Sequence, residues 1–203
     1  MRTTSPRKPV VCLRGADGSV CTSGAEWTGS LTALEETLLH RVPAPVLDVG
    51  CGPGRHTAAL AAAGIPALGI DIASRAVSAA RGRGVTVLRR SVFARLPGAG
   101  RWGGVLLLDG NLGIGGRPVP LLCRIAQLLR PDGRLLVEVA PPGTGPGCRT
   151  VCLEVDGQRG PWFRWTRVGI DRLGGLALPA GLVVLDRWSD GDRWYGTLRR
   201  EAR

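Results

Sequence analysis

One stretch of the chain spaces carboxylates and glycines for ligand binding: Val46-Leu47-Asp48-Val49-Gly50-Cys51-Gly52-Pro53-Gly54-Arg55-His56. A short apolar run ends in alternating glycines and passes into residues of helical character. Glycines let the backbone approach a ligand closely and adopt positive φ, and a helix N-terminus leaves N–H groups free to meet it. Asp48 lies inside the apolar run, where burying a carboxylate is costly unless it has a partner. Asp71 ends the next apolar run, about twenty residues beyond the glycines, the place from which an acid takes the ribose hydroxyls of a nucleoside. The dinucleotide fingerprint G-x-G-x-x-G is not the spacing found here. An acid just ahead of the first glycine repels a pyrophosphate and suits an ammonium group. The ligand so described joins a nucleoside to an amino acid.

The elements that must position these residues follow from the apolar pattern. Runs of strand length at residues 46–49, 67–72, 85–88, 105–108 and 135–139 alternate with helical segments at 57–63, 75–83 and 118–129. Pro118 falls in a first turn, where its missing N–H costs nothing. A helix ahead of the first strand is predicted from Ser30 as N-cap, with Leu31, Leu34, Leu38 and Leu39 on one face and Glu35 and Glu36 toward the polar side; Pro43 and Pro45 end it. Alternation of this kind implies right-handed crossovers and an α/β, doubly wound, mostly parallel sheet buried on both faces. Later, 151–155 and 162–165 read as a hairpin and 168–178 as a helix weakened by Gly174 and Gly175. Two strands at 182–188 and 194–198, joined through an Asp-Gly turn, give the sheet an antiparallel last strand. Residues 1–24 read as a loosely ordered arm, and 25–203 as one domain with a small hairpin insert near 144–166.

Several of these features, in this order, resemble the class I S-adenosylmethionine-dependent methyltransferases of the small-molecule type, over about residues 27–139. That resemblance implies a seven-stranded Rossmann-like sheet and S-adenosyl-L-methionine as methyl donor. It implies that Asp48, Gly50, Cys51, Gly52 and Gly54 surround the methionine end of the donor, that Asp71 takes the ribose, and that Ile72 borders the adenine. Ser91 and Val92 stand where the family often has an acidic or polar residue for the adenine amino group, so that contact is weaker or made by backbone. Asp109-Gly110-Asn111 matches the polar end of the fourth strand beneath the donated methyl. Leu128-Leu129-Arg130-Pro131-Asp132-Gly133 matches the turn before the fifth strand.

Asp109 is the candidate nearest the reacting methyl, with cofactor orientation or helix capping as its alternative role. His56 and Glu138 are further candidates: Glu138 lines an acceptor pocket or is satisfied by a neighbouring arginine. A cysteine nucleophile is excluded, since Asp109-Gly110-Asn111-Leu112 stands where a Pro-Cys would be needed. Trp162, Trp165, Trp188 and Trp194 read as the core of the late hairpins, with a stacking surface as the other reading.

Composition limits the classes further. The 203 residues, 44% of them apolar, suffice for one domain with a real core. No apolar stretch approaches the roughly 20 residues that a spanning helix needs, and no secretory signal is read, so a cytoplasmic, non-membrane protein is expected. The six cysteines form no Cys-x-x-Cys pair and the two histidines, His40 and His56, are far apart, so no metal is expected. Net charge is +11, yet Lys8 is the only lysine; the arginine excess looks like coding bias on a solvated surface. A small-molecule acceptor is therefore the leading reading. An RNA methyltransferase is the second, supported by charge and by Arg75, Arg81, Arg83, Arg89, Arg90, Arg95 and Arg101, with no acid between residues 72 and 108. A non-catalytic S-adenosylmethionine-binding protein is the third. The acceptor, the general base and the oligomeric state are not legible.

Overall fold

A computed structural model describes residues 11–23, 27, 29–145 and 147–201 of the chain. In chain order the elements are β1 (Val11–Gly15), β2 (Val20–Ser23), α1 (Ala33–Leu39), β3 (Val46–Val49), α2 (Arg55–Ala62), β4 (Ala67–Asp71), α3 (Ser74–Gly82) and β5 (Val87–Arg89). They continue with β6 (Trp102–Leu107), α4 (Pro118–Leu128), β7 (Leu129–Val139), β8 (Gly147–Val155), β9 (Gln158–Arg167), α5 (Leu173–Ala177), β10 (Leu182–Asp190) and β11 (Arg193–Arg200).

The main sheet has seven strands in the order β10-β11-β7-β6-β3-β4-β5. Pairs among β7, β6, β3, β4 and β5 are parallel, and β11 runs antiparallel to both β7 and β10. The alternation of each strand decides which side chains face which helices. Leu47, Val49, Val105, Leu107, Leu135 and Val137 pack with α4 and α5 on one face. Val46, Leu106, Leu108, Leu136 and Tyr195 pack with Leu38 and Leu39 of α1 and Leu60 of α2 on the other. Asp48 and Glu138 share this second face by parity, so both carboxylates look toward α1 and α2.

The N-terminal segment departs from expectation. Residues 11–15 and 20–23, read as part of a loose arm, form strands β1 and β2, and β1 pairs antiparallel with β8. Val11, Cys12 and Leu13 are buried there. The open edge of β8 supplies the partner, and Arg14 forks onto Glu154 with both its Nε and Nη2 donating. This long-range pairing overrides the weak local pattern. The resulting sheet, β2-β1-β8-β9, is held against the C-terminal ends of the main strands by bridges from Trp165 to Ile114 and from Gly169 to Ala140.

Other boundaries move for local reasons. The N-cap of α1 is Thr32, not Ser30: Thr32 and Glu35 form a reciprocal capping box. The helix expected over 168–178 shortens to α5 between 3-10 turns at Ile170–Arg172 and Leu178–Ala180, since Gly174 and Gly175 lower its propensity. Strand β7 begins at Leu129, with its register to β6 shifting opposite Trp102 and Gly104. No helix among the described residues is long and apolar enough to cross a membrane.

Candidate functional site

The glycine turn connects β3 to α2 at the C-terminal edge of the sheet. Its three glycines all have positive φ, 72° at Gly50, 55° at Gly52 and 79° at Gly54, but their surroundings differ. A Cβ on Gly50 would sit 2.7 Å from Asn111 Nδ2, and one on Gly54 would sit 2.9 Å from Val85 Cγ2. A Cβ on Gly52 would meet no protein atom within 4 Å. Gly50 and Gly54 are thus glycine because protein packs against them, contrary to a turn in which every glycine faces a ligand. Asn111 explains the first case: its Nδ2 donates to the carbonyls of Val49 and Gly50 at 2.9 and 3.0 Å, fastening the turn to the end of β6.

Asp71 lies beside the open position. Its Oδ2 accepts from the Gly52 N–H at 2.9 Å and its Oδ1 from the Ala73 N–H at 2.8 Å. Ile72, next in sequence, is 60% exposed. Asp48 is 1% exposed and accepts from Thr57 Oγ1 at 2.8 Å; burial pushes its carboxyl up, so it braces α2 rather than presenting a free charge. The Cys51 thiol is also raised by burial. Ser91 Oγ accepts from the Phe93 N–H at 3.3 Å. The Val92 side chain belongs to the main core, and its carbonyl is taken by Arg124 Nε at 3.0 Å; it offers no side chain to a ligand.

Asp109, with φ at 55°, stands at the centre of a buried ionic cluster. Arg55 Nη2 donates to its two oxygens at 2.9 and 3.2 Å, and its own N–H donates to Glu138 Oε2 at 2.9 Å. Arg193 forks onto Glu138, with Nε to Oε1 at 2.9 Å and Nη2 to Oε2 at 2.8 Å. Glu35 Oε1 lies 2.7 Å from both Arg55 Nη1 and Arg193 Nη1, while Oε2 accepts from the Thr32 N–H at 2.9 Å. Burial alone would raise the Glu35 carboxyl. Contacts from His56, Thr32, Arg193 and Arg55 outweigh it and hold the group well below the usual carboxylate range. Burial would lower Arg193, but Glu138 first and Glu35 second raise it instead. His56 is buried with Nε2 3.9 Å from Glu35. The Tyr195 hydroxyl is buried without a hydrogen-bond partner among the described residues.

A cavity of about 260 Å³ opens beyond the ends of β6 and β7, beneath β9. Its apolar walls include Trp27, Leu112, Trp165 and Val168, and its polar lining includes Asp109, Glu138 and Arg193. The indole of Trp165 lies on the backbone of the 3-10 turn Asn111–Gly113: a Cβ on Gly113 would reach the ring at 2.9 Å.

In the sheet β4 and β6 flank β3, so the glycine turn lies between the ends of β4 and β6. Residues 46–133 match a family whose description is a methyltransferase domain. Over that stretch the chain carries the pattern of a methyltransferase domain. The chain is similar to a Bacteroides fragilis S-adenosylmethionine-dependent methyltransferase solved with S-adenosyl-L-homocysteine, at TM-score 0.80 and 23% identity over 95% of this chain and 88% of that one. It is also similar to the Burkholderia thailandensis 1,6-didemethyltoxoflavin-N1-methyltransferase, at 0.62 and 27% over 84% and 78%. The CcbJ methyltransferase of Streptomyces caelestis matches at 0.65 and 18% over 82% and 94%. No curated protein matches in sequence.

Three members of the ionic cluster were not evident from sequence. Glu35, placed on a polar face, is 2% exposed; the Thr32-x-x-Glu35 spacing was the available signal. Arg55 and Arg193 carry no sequence mark, since a basic residue after a glycine or in a hairpin turn normally faces water. Glu138 fulfils both alternatives considered for it, lining the cavity and pairing with an arginine.

Proposed function

We propose that the chain transfers a methyl group from S-adenosylmethionine to a small molecule held in the cavity beneath β9. The observation that carries the reading is the contrast at the turn: Gly52 alone of the three glycines opens onto space free of protein, directly beside Asp71. That is the room a nucleoside–amino acid ligand needs for backbone contact. In this reading Gly52 borders the methionine end, Asp71 accepts the ribose hydroxyls, Ile72 covers the adenine and Asp109 marks the donor's reactive end. Gly50, Gly54, Cys51 and Asp48 shape the turn from behind. The backbone near Ser91 and Val92 edges the adenine.

When bound, the donor supplies a methyl on a positively charged sulfur. The protein's share is positional: it aligns the acceptor and excludes water. The lid sheet β2-β1-β8-β9 serves the second task and the rigid ionic cluster the first. The cavity's size suits a small ligand, just below the roughly 300 Å³ at which drug-sized sites begin. Similarity to the Burkholderia protein, whose structure holds 1,6-didemethyltoxoflavin and S-adenosylhomocysteine, supports an acceptor of that scale.

Incubation with methyl-labelled S-adenosylmethionine and a metabolite extract tests the reading. Label should appear in a low-mass product. Label confined to RNA or protein, or none released beyond spontaneous decay, contradicts it.

A further inference from the structure

The cavity's chemistry goes further than its location. Three carboxylates, Glu35, Asp109 and Glu138, share two guanidiniums, Arg55 and Arg193. Each oxygen of Asp109 and Glu138 already accepts at least one N–H. A proton taken from an acceptor by either acid would weaken the ion pair it makes with Arg55 or Arg193. Neither is placed as a general base, and an alcohol or phenol methylated at neutral pH needs one. Asp192 also lines the cavity but is exposed, so water screens its charge. The five-membered cluster carries one more negative than positive charge. Its field opposes an anionic nucleophile and favours positive charge that develops on the acceptor.

The walls add a shape requirement. Trp165 and Trp27 present indole surface, and Leu112 and Val168 complete an apolar slot. Gly113 lets the Trp165 ring come close to the turn after β6, since a Cβ there would reach the ring at 2.9 Å. An aromatic side chain fixed this way is a stacking platform that costs little ordering on binding.

We propose, resting on the methyl-donor reading above, that the acceptor is a flat nitrogen heterocycle that binds uncharged and is methylated on a ring nitrogen. The nitrogen lone pair forms the new N–C bond as the C–S bond breaks, its electron pair remains on sulfur, and positive charge passes from sulfur to nitrogen. Where the ring carries an N–H, that proton leaves to water after transfer, without an enzyme base.

The test uses the full chain saturated with S-adenosylhomocysteine at pH 8 and four bicyclic probes of one shape: isoquinoline, naphthalene, 2-naphthol and 2-naphthoate. Binding is read by tryptophan fluorescence and calorimetry. Isoquinoline should bind at least about tenfold more tightly than 2-naphthoate, and Trp165→Ala should weaken it about tenfold while the S-adenosylhomocysteine Kd holds. Trp165→Phe should retain most of the affinity, which separates lost stacking from lost folding. With S-adenosylmethionine in place of the product, mass spectrometry should find N-methylisoquinolinium and no 2-methoxynaphthalene. Equal or tighter binding of 2-naphthoate, methylation of 2-naphthol in preference, or no isoquinoline binding overturns the proposal and leaves the methyl-donor reading intact. Failure of S-adenosylhomocysteine itself to bind overturns both.

Discussion

The backbone N–H of Gly52 donates to Asp71 Oδ2 at 2.9 Å, joining the glycine turn to the end of the neighbouring strand. The carboxylate proposed for the ribose also holds the turn in shape, so one side chain preorganises both halves of the proposed donor site. Charge-assisted hydrogen bonds are worth about 1.5–3 kcal/mol each. Asp71→Ala should therefore weaken S-adenosylhomocysteine binding roughly ten- to hundredfold. An unchanged Kd in a folded variant would remove Asp71 from the site.

The glycines separate by phenotype. Gly52→Val should fold, with a loss of about 1–2 kcal/mol from left-handed backbone strain, and should show no thermal shift with S-adenosylhomocysteine. Gly54→Val should lose more stability, because its side chain would meet Val85 and Ala80 of the α3 region. Melting curves with and without ligand read both effects. Equal destabilisation of the two, with binding kept in Gly52→Val, would make the whole turn structural.

Asn111→Ala should loosen the turn without touching a ligand. The loss of two hydrogen bonds to the Val49 and Gly50 carbonyls exposes both acceptors, at a cost of about 1–3 kcal/mol. Hydrogen exchange at residues 50–54 should accelerate about tenfold or more. Unchanged protection there would mean that the turn is set by the sheet alone.

Glu35→Gln should be the most damaging single change in the cluster. Removing one partner from a buried ion pair costs about 3–5 kcal/mol, and both Arg55 and Arg193 lose a carboxylate here. The pH dependence has a definite sign. Glu35 is held below the usual range in the native protein, whereas in the unfolded chain it protonates near its ordinary value of about 4.3. The unfolded state then binds the extra proton, so the stability owed to Glu35 is complete above about pH 5 and is lost as pH falls. Urea midpoints between pH 6 and 3.5 should fall less steeply for Glu35→Gln than for the parent. Parallel slopes would contradict the ion-pair assignment.

How much of this was legible in the sequence depended on periodicity. Strands buried on both faces, such as Val46–Val49 and Trp102–Leu107, declare themselves as continuous apolar runs, and the glycine turn with Asp71 marks the donor site proposed above. What was hidden depends on pairing over long distance. Strand β1 exists because β8 offers it an edge; alone its five residues have no stable form. Arg55 and Arg193 are buried because Glu35, Asp109 and Glu138 converge from different elements, which no local window contains. The split among Gly50, Gly52 and Gly54 was likewise invisible, since it rests on Asn111 and Val85 arriving from elsewhere.

The central claim is tested most directly by titrating the purified chain with S-adenosylhomocysteine in a calorimeter. The structure predicts saturable binding to one site per chain, lost in Gly52→Val and weakened in Asp71→Ala. No heat with S-adenosylhomocysteine or S-adenosylmethionine, or equal binding by Gly52→Val, would contradict it.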